Sequence, residues 1–85
     1  MSILSSSIFE VGTEQTPHNV DGSKSLMPVD GIVYVWYGPY TGTDEELVAE
    51  GMPIPSGKLL EHIQTHSGII TLIADSGTVT IHEVI

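Results

Sequence analysis

The stretch LIADSGTVTIHEVI, residues 72–85, is the clearest indication of the fold. An apolar run ends at Asp75-Ser76-Gly77, and apolar and polar residues then alternate up to Ile85. One-by-one alternation is typical of a β-strand with one buried face. We therefore predict two strands joined by a hairpin at 75–77, in which Gly77 supplies a positive φ. Val79 and Ile81 should face the core, while Thr80 and His82 should face outward.

A second strand is predicted at GIVYVWYG, residues 31–38, because β-branched and aromatic residues crowd it and glycines bound it. Neither of its faces is polar: the two faces are Ile32, Tyr34, Trp36 and Val33, Val35, Tyr37. Such a strand is either central in a core or covers the core with one face and a partner with the other. Both interpretations stay open, although a chain of 85 residues has little room for two cores.

The segment between these strands is less regular. Thr43 and Glu46 fit a capping box, which predicts a short helix over 44–50 that stops at Gly51. The alternative is an irregular loop with a brief strand at Leu47-Val48. Residues 56–67 fit either a helix or a strand, and the turn signals around them favour an all-β chain.

The first thirty residues are polar and rich in turn-forming residues. Residues 7–11 (SIFEV) fit a short strand with Phe9 and Val11 on one face. For residues 12–30 we predict an extended arm that reaches a neighbour, with a short strand near Ser25-Leu26-Met27 as the alternative. The predicted organisation is an N-terminal arm over 1–30 followed by a small β-sandwich or barrel-like module over 31–85.

The composition limits the partners. Eleven acidic residues against two lysines give a formal net charge of −9. Nucleic acids and anionic membranes both require a cationic surface, so we expect the chain to bind neither. The absence of cysteine excludes disulfides and thiolate metal sites. Residues 1–15 lack the features of a secretory signal and the apolar runs are too short for a membrane helix, so we expect a protein made in the cytoplasm.

The chemically active residues do not form a catalytic motif. Ser76 lies in a DSG turn that lacks the pattern of a nucleophile elbow. The four acidic residues between positions 44 and 50 lack the alternating ligands of an EF-hand and are predicted to be a solvated acidic segment. We therefore predict no catalytic residue, no cofactor, no metal and no enzymatic activity.

Four histidines were considered as metal ligands. His62 and His66 lie four residues apart, which is a metal spacing only on a helix. With Glu61 they define a remote alternative, a small metal-binding domain. His18 and His82 are predicted, like the other two, to be surface or loop residues.

Three motifs in a fixed order resemble small virion proteins of tailed bacteriophages. They are a strand that opens on Val33-Tyr34-Val35, a Pro-x-Pro-x-Gly turn within residues 51–57, and the sequence IADSGT followed by an alternating strand over 73–84. The resemblance spans residues 31–84, and the longer, more acidic segment 41–50 departs from it.

The resemblance implies a capsid decoration (cement) protein on the virion surface that bridges capsomers as a homotrimer. The implied partner is the major capsid protein. Tyr34, Trp36, Tyr37 and Tyr40 are the predicted subunit or capsid contacts, because tyrosine and tryptophan are enriched at interfaces. The alternative within the same virion is a fibre, a tail part or a head–tail adaptor.

Overall fold

The computed structural model describes residues 6–21, 23, 25–61 and 68–84. These residues form strands and one short helix, as the alternation in the sequence predicts. The elements are β1 (Ser6–Val11), β2 (Thr16–Asn19), β3 (Ser25–Pro28), β4 (Val33–Tyr37), α1 (Asp44–Glu50), β5 (Met52–Ile54), β6 (Leu60–Glu61), β7 (Ile69–Ala74) and β8 (Val79–Val84).

The strands form two antiparallel four-stranded sheets that pack face to face. The strand order is β1-β8-β3-β6 in the first sheet and β2-β7-β4-β5 in the second. The core lies between the sheets, because both contribute buried apolar side chains to a single cluster: Val11, Val20, Leu26, Val33, Val35, Ile54, Leu60, Ile70, Leu72, Ala74, Val79 and Ile81. The prediction of a small all-β sandwich is therefore confirmed.

The segment 75–77 does not close a hairpin, so that part of the prediction is wrong. Strand β7 pairs with β2 and β4, whereas β8 pairs with β1 and β3, and the DSG turn carries the chain from one sheet to the other. Gly77 has the predicted positive φ, 61°, and Val79 and Ile81 are buried as predicted. Alternation identifies the buried face of a strand, but it is silent about which strand lies beside it.

The segment predicted to be an arm is built into the sandwich over its described residues. Strand β1 pairs with β8, β2 pairs with β7, and β3 pairs with both β8 and β6. Val20 and Leu26 of this segment are in the core. The alternative, a strand near Ser25-Leu26-Met27, is the one observed, and residue 30 is not a boundary in the fold. The strands were hidden because β2 and β3 have four residues each, too few to show a period among turn-forming neighbours.

The helix α1 covers part of the outer face of the second sheet. Thr43 and Glu46 form the predicted capping box, so the alternative of an irregular loop is wrong. The helix packs against β4 and β7 and buries Leu47 completely. The outer face of β4 is thus divided, because the helix covers one part of it and leaves Trp36 exposed.

Residues 56–67 are described only in part. Leu60 and Glu61 form β6, a short strand that pairs with β3. His62, His66 and the choice between helix and strand for 62–67 lie outside the described residues.

Candidate interaction surface

The side chains of Trp36, Tyr37, Tyr40, Glu50 and Met52, which we call the aromatic surface, lie together beside the end of α1. Trp36 is 37% exposed, Tyr37 46% and Met52 40%. Residues 36, 37, 50 and 52, with Val35, line an open hollow of about 280 Å³. Strand β4 ends at Tyr37, and Met52 lies opposite Val35 in the pairing with β5, so that Trp36, Tyr37 and Met52 border the same hollow.

Tyr40 fixes the position of the neighbouring tryptophan. The two rings meet edge to face, with centroids 5.2 Å apart and an interplanar angle of 68°. The hydroxyl of Tyr40 donates a hydrogen bond of 2.8 Å to Glu50 Oε2. Gly42 makes room for the ring, because a side chain there would meet the Tyr40 hydroxyl at 2.7 Å. Because Tyr40 is fixed by these contacts, the side chain of Trp36 beside it loses less conformational entropy when a partner binds, which favours binding.

Partial desolvation, the hydrogen bond to Glu50 and the negative charges of Glu50 and Glu46 together raise the pKa of Tyr40 to about 12. The phenol therefore stays a neutral donor throughout the physiological pH range. Its hydrogen bond to Glu50 keeps the carboxylate at the rim of the hollow, where it can accept a hydrogen bond from a partner.

Tyr34, the fourth residue predicted for the interface, lies apart from the aromatic surface as defined here. It is half-buried, and its hydroxyl donates a 3.1 Å hydrogen bond to Asp75. That hydrogen bond, followed by desolvation and the charge of Asp75, raises the pKa of Tyr34. A side chain at Gly51 would come within 3.2 Å of its Cβ, so the end of α1 lies against it. Three of the four predicted residues therefore lie around one hollow, and Tyr34 joins β4 to the turn at 75–77.

A second polar cluster joins the two sheets. Glu83 on β8 is 5% exposed, and it accepts a 3.2 Å hydrogen bond from Ser7 Oγ. Its other carboxylate oxygen lies 2.9 Å from His18 Nε2 on β2, in the opposite sheet. The ring of Phe9 stacks on His18 at a centroid distance of 4.2 Å. The prediction of His18 as a surface or loop residue is therefore corrected, because it is half-buried on β2, with its ring stacked on Phe9 and paired with a buried carboxylate.

The order of these groups differs from that of a nucleophilic triad. A triad places the imidazole between the serine and the carboxylate, so that the imidazole takes the serine proton. Here the carboxylate of Glu83 lies between Ser7 and His18. This arrangement satisfies a buried carboxylate and cross-links the sheets, and it does not place the imidazole on the hydroxyl.

The acidic residues of α1 lie beside a separate open hollow of about 270 Å³ lined by Asp44, Glu45 and Asp75 among others. Asp44 accepts a hydrogen bond from the backbone N–H of Gln15, at 3.2 Å. Among the described residues, no three histidine or carboxylate side chains are grouped as a metal site would require. Within the same residues, no helix is long and apolar enough to cross a membrane.

The cross-sheet cluster and the Tyr40–Glu50 contact have no signal in the sequence. His18 and Glu83 are 65 positions apart, and they meet because β2, an edge strand of the second sheet, comes close to β8, an interior strand of the first. Tyr40 and Glu50 meet because α1 returns the chain to the edge of β4. Comparisons with protein-family models, with curated protein sequences and with solved structures found no match.

Proposed function

We propose that this chain is a non-enzymatic structural protein of a bacteriophage virion, a decoration protein that cements the capsid by bridging capsomers. The observation that carries the proposal is the aromatic surface. A small sandwich has covered one face of β4 with its core and part of the other face with its own helix. Trp36, Tyr37 and Met52 nevertheless stay exposed around one hollow. Neighbouring exposed apolar side chains with a polar rim are typical of a protein-binding site.

The size of this surface fits a contact repeated many times on one particle. With roughly 200 Å² for each large side chain, the exposed parts of Trp36, Tyr37 and Met52 amount to roughly 250 Å². At about 25 cal/mol per Å² their burial contributes about 6 kcal/mol per copy before the cost of association. A gain of this size is modest for one copy, and it adds up over the many copies that a capsid holds.

The charge supports the same mode of action. A formal net charge of −9 keeps free copies soluble and opposes non-specific association between them. Binding then requires a shaped apolar site on the particle, in which the carboxylate of Glu50 remains at the rim. We propose the major capsid protein as the partner and a homotrimer as the bound form, as the resemblance implies.

The test is co-sedimentation of the purified chain with empty capsids of the phage that encodes it, followed by counting of bound copies. We expect saturation at hundreds of copies per particle, in a fixed ratio to the major capsid protein. A few copies per virion, located at the tail or vertex, would favour the fibre, tail or adaptor alternative. Absence of the chain from purified virions would overturn the virion proposal altogether.

A further inference from the structure

Among the described residues the two sheets have four edge strands, and a proline blunts two of them. Strands β2 and β5 each contain a proline, Pro17 and Pro53. Strand β1 has six residues and contains neither proline nor lysine. Its Ile8 is 64% exposed. Proteins blunt exposed strand edges with proline, with charge or by shortness, and β1 has little of this protection.

The direction of the backbone groups shows that both prolines face outward at their edges. In an antiparallel pair, successive residues point their N–H and C=O groups alternately toward the partner and away from it. Val20 N donates to Gly68 O, so the backbone groups of Val20 point toward β7. Pro17 is three residues away and lies opposite Thr71, so by the same alternation the nitrogen of Pro17 points away from β7.

The same alternation applies to β5. Gly38 N donates to Ile69 O, which directs residues 34 and 36 of β4 toward β7 and residues 33 and 35 toward β5. Pro53 lies opposite Tyr34, so its nitrogen also faces the free edge. At both edges a proline removes the outward donor that another strand would need.

Strand β1 keeps its outward donors. Val29 N donates to Thr80 O, and Thr80 N donates to Asp30, so the backbone of Thr80 faces the β3 side. The neighbouring residues 79, 81 and 83 of β8 therefore face β1, where they pair with 11, 9 and 7. The N–H and C=O groups of Ser6, Ile8 and Glu10 consequently point away from the sheet.

We propose that the β1 edge pairs with the β1 edge of a second copy, antiparallel and about a two-fold axis at Ile8. In this register Ile8 lies opposite Ile8 of the second copy, and the backbone of Ser6 lies opposite that of Glu10. All three outward residues of each copy then take part in hydrogen-bonded pairs. The two sheets join into one continuous sheet, and each exposed Ile8 side chain packs against its equivalent.

Charge distinguishes this register from the others. A shift that placed the two Glu10 residues opposite each other would set like charges side by side, which destabilises a cross-strand pair. In the proposed register four residues separate the two Glu10 positions along the strand direction, roughly 14 Å. That distance exceeds the screening length of about 8 Å at physiological ionic strength. The register thus pairs the apolar residue with itself and keeps the carboxylates apart.

Pairing of β1 with a second copy of the same chain should depend on salt in a characteristic way. Each copy has a formal net charge of −9, so two copies repel each other. Raising NaCl from about 0.05 M to about 0.5 M should therefore strengthen the pairing. A cationic foreign segment on the same edge would show the opposite dependence, and binding that weakens with salt would overturn the proposal of a second copy.

The experiment is amide hydrogen exchange over a range of protein concentration, combined with sedimentation equilibrium. Between about 10 µM and about 500 µM, protection of the Ile8 and Glu10 amides should rise together with the mass, because within one copy these N–H groups have no partner among the described residues. The Phe9 amide, which faces β8, should be protected throughout. Free exchange at Ile8 and Glu10 at the highest concentration would overturn the proposal.

Two variants and one control locate the contact. Ile8→Lys should weaken the association at least about tenfold, although it lowers the net negative charge and thus the repulsion. Leu59→Lys makes the same charge change at a 47% exposed leucine beside β6 and should leave the association unchanged. Ile8→Pro removes an outward N–H, as Pro17 and Pro53 do, and should also abolish pairing with the fold retained by circular dichroism. Equal association of Ile8→Lys and Leu59→Lys would refute the assignment.

This inference stands apart from the proposed function. It concerns the edge of the first sheet, whereas the aromatic surface lies on the second. Failure of capsid binding would leave the exchange result untouched, and failure of strand pairing would leave the aromatic surface available.

Discussion

Replacement of Trp36 by alanine tests the aromatic surface most directly. Trp36 is 37% exposed. Of the roughly 200 Å² of a tryptophan side chain, roughly 75 Å² is therefore available to a partner. At about 25 cal/mol per Å² its burial is worth about 2 kcal/mol, and its loss should weaken binding about 30-fold. Buried aromatic anchors carry a large share of interface energy, so this single change should be conspicuous.

Binding of the wild-type chain can be followed through the same side chain. Trp36 is the single tryptophan of the sequence, so the tryptophan emission of this chain, excited selectively over the tyrosines and corrected for the emission of the capsids, reports on this site. Burial by a partner should shift the emission to shorter wavelength and reduce quenching by acrylamide. The affinity of the alanine variant, which lacks this signal, is measured by co-sedimentation with empty capsids.

The control is Glu45→Ala, on the exposed side of α1 and outside the aromatic surface. It should bind with nearly unchanged affinity, because an exposed charge away from a contact contributes little. Trp36→Ala also removes the edge-to-face contact with Tyr40, worth about 1 kcal/mol, so urea unfolding must show that both variants are folded under the binding conditions. If the two folded variants bind alike, the aromatic surface is not the interface.

Three further predictions concern the fold that presents this surface. Leu47→Ala should lower the free energy of unfolding, measured in urea, by about 3 kcal/mol, because Leu47 lies on the side of α1 that faces the sheet and is fully buried. A loss below about 1 kcal/mol would mean that the helix is not packed on the sheet. Gly77→Ala should cost about 1 kcal/mol at its positive φ of 61°, whereas Gly12→Ala, where added atoms meet nothing within 4 Å, should not; equal effects would contradict the positive φ at Gly77. Tyr40 ionises with a folded pKa of about 12 and an unfolded pKa near 10, so its contribution to stability is complete below about pH 10 and is lost as the pH rises toward about 12. Tyr40→Phe should flatten this alkaline decline in urea unfolding, and an unchanged decline would remove Tyr40 as its cause.

Local patterns predicted the elements whose causes are local. The alternation of Val79 and Ile81 with polar residues identified the inner face of β8, since side chains on a strand repeat every two residues. The capping box of Thr43 and Glu46 identified the start of α1, because both of its hydrogen bonds form within one turn. Such signals need no knowledge of the rest of the chain.

The features that depend on distant partners were not predictable in the same way. The turn at Gly77 suits a hairpin and a crossover equally well, because its positive φ says nothing about the strand that follows. Strands β2 and β3 are stabilised by pairing with β7 and β8, at the other end of the chain. The exposure of Trp36 likewise depends on how far α1 covers β4, which is a property of packing and not of periodicity.

The open edge of β1 is another feature that could not be predicted from the sequence alone. Pro17 and Pro53 are visible in the sequence as strand breakers, but their meaning changes once the sheets are known. Each lies on an edge strand with its nitrogen directed outward, where it costs no ladder hydrogen bond and prevents another strand from pairing. Because two edge strands carry a proline, the absence of proline from β1 indicates that the edge of β1 is open to pairing. Because the aromatic surface belongs to the other sheet, the proposed docking through Trp36 and the proposed pairing through β1 use separate parts of the molecule, and each can be tested with the other left intact.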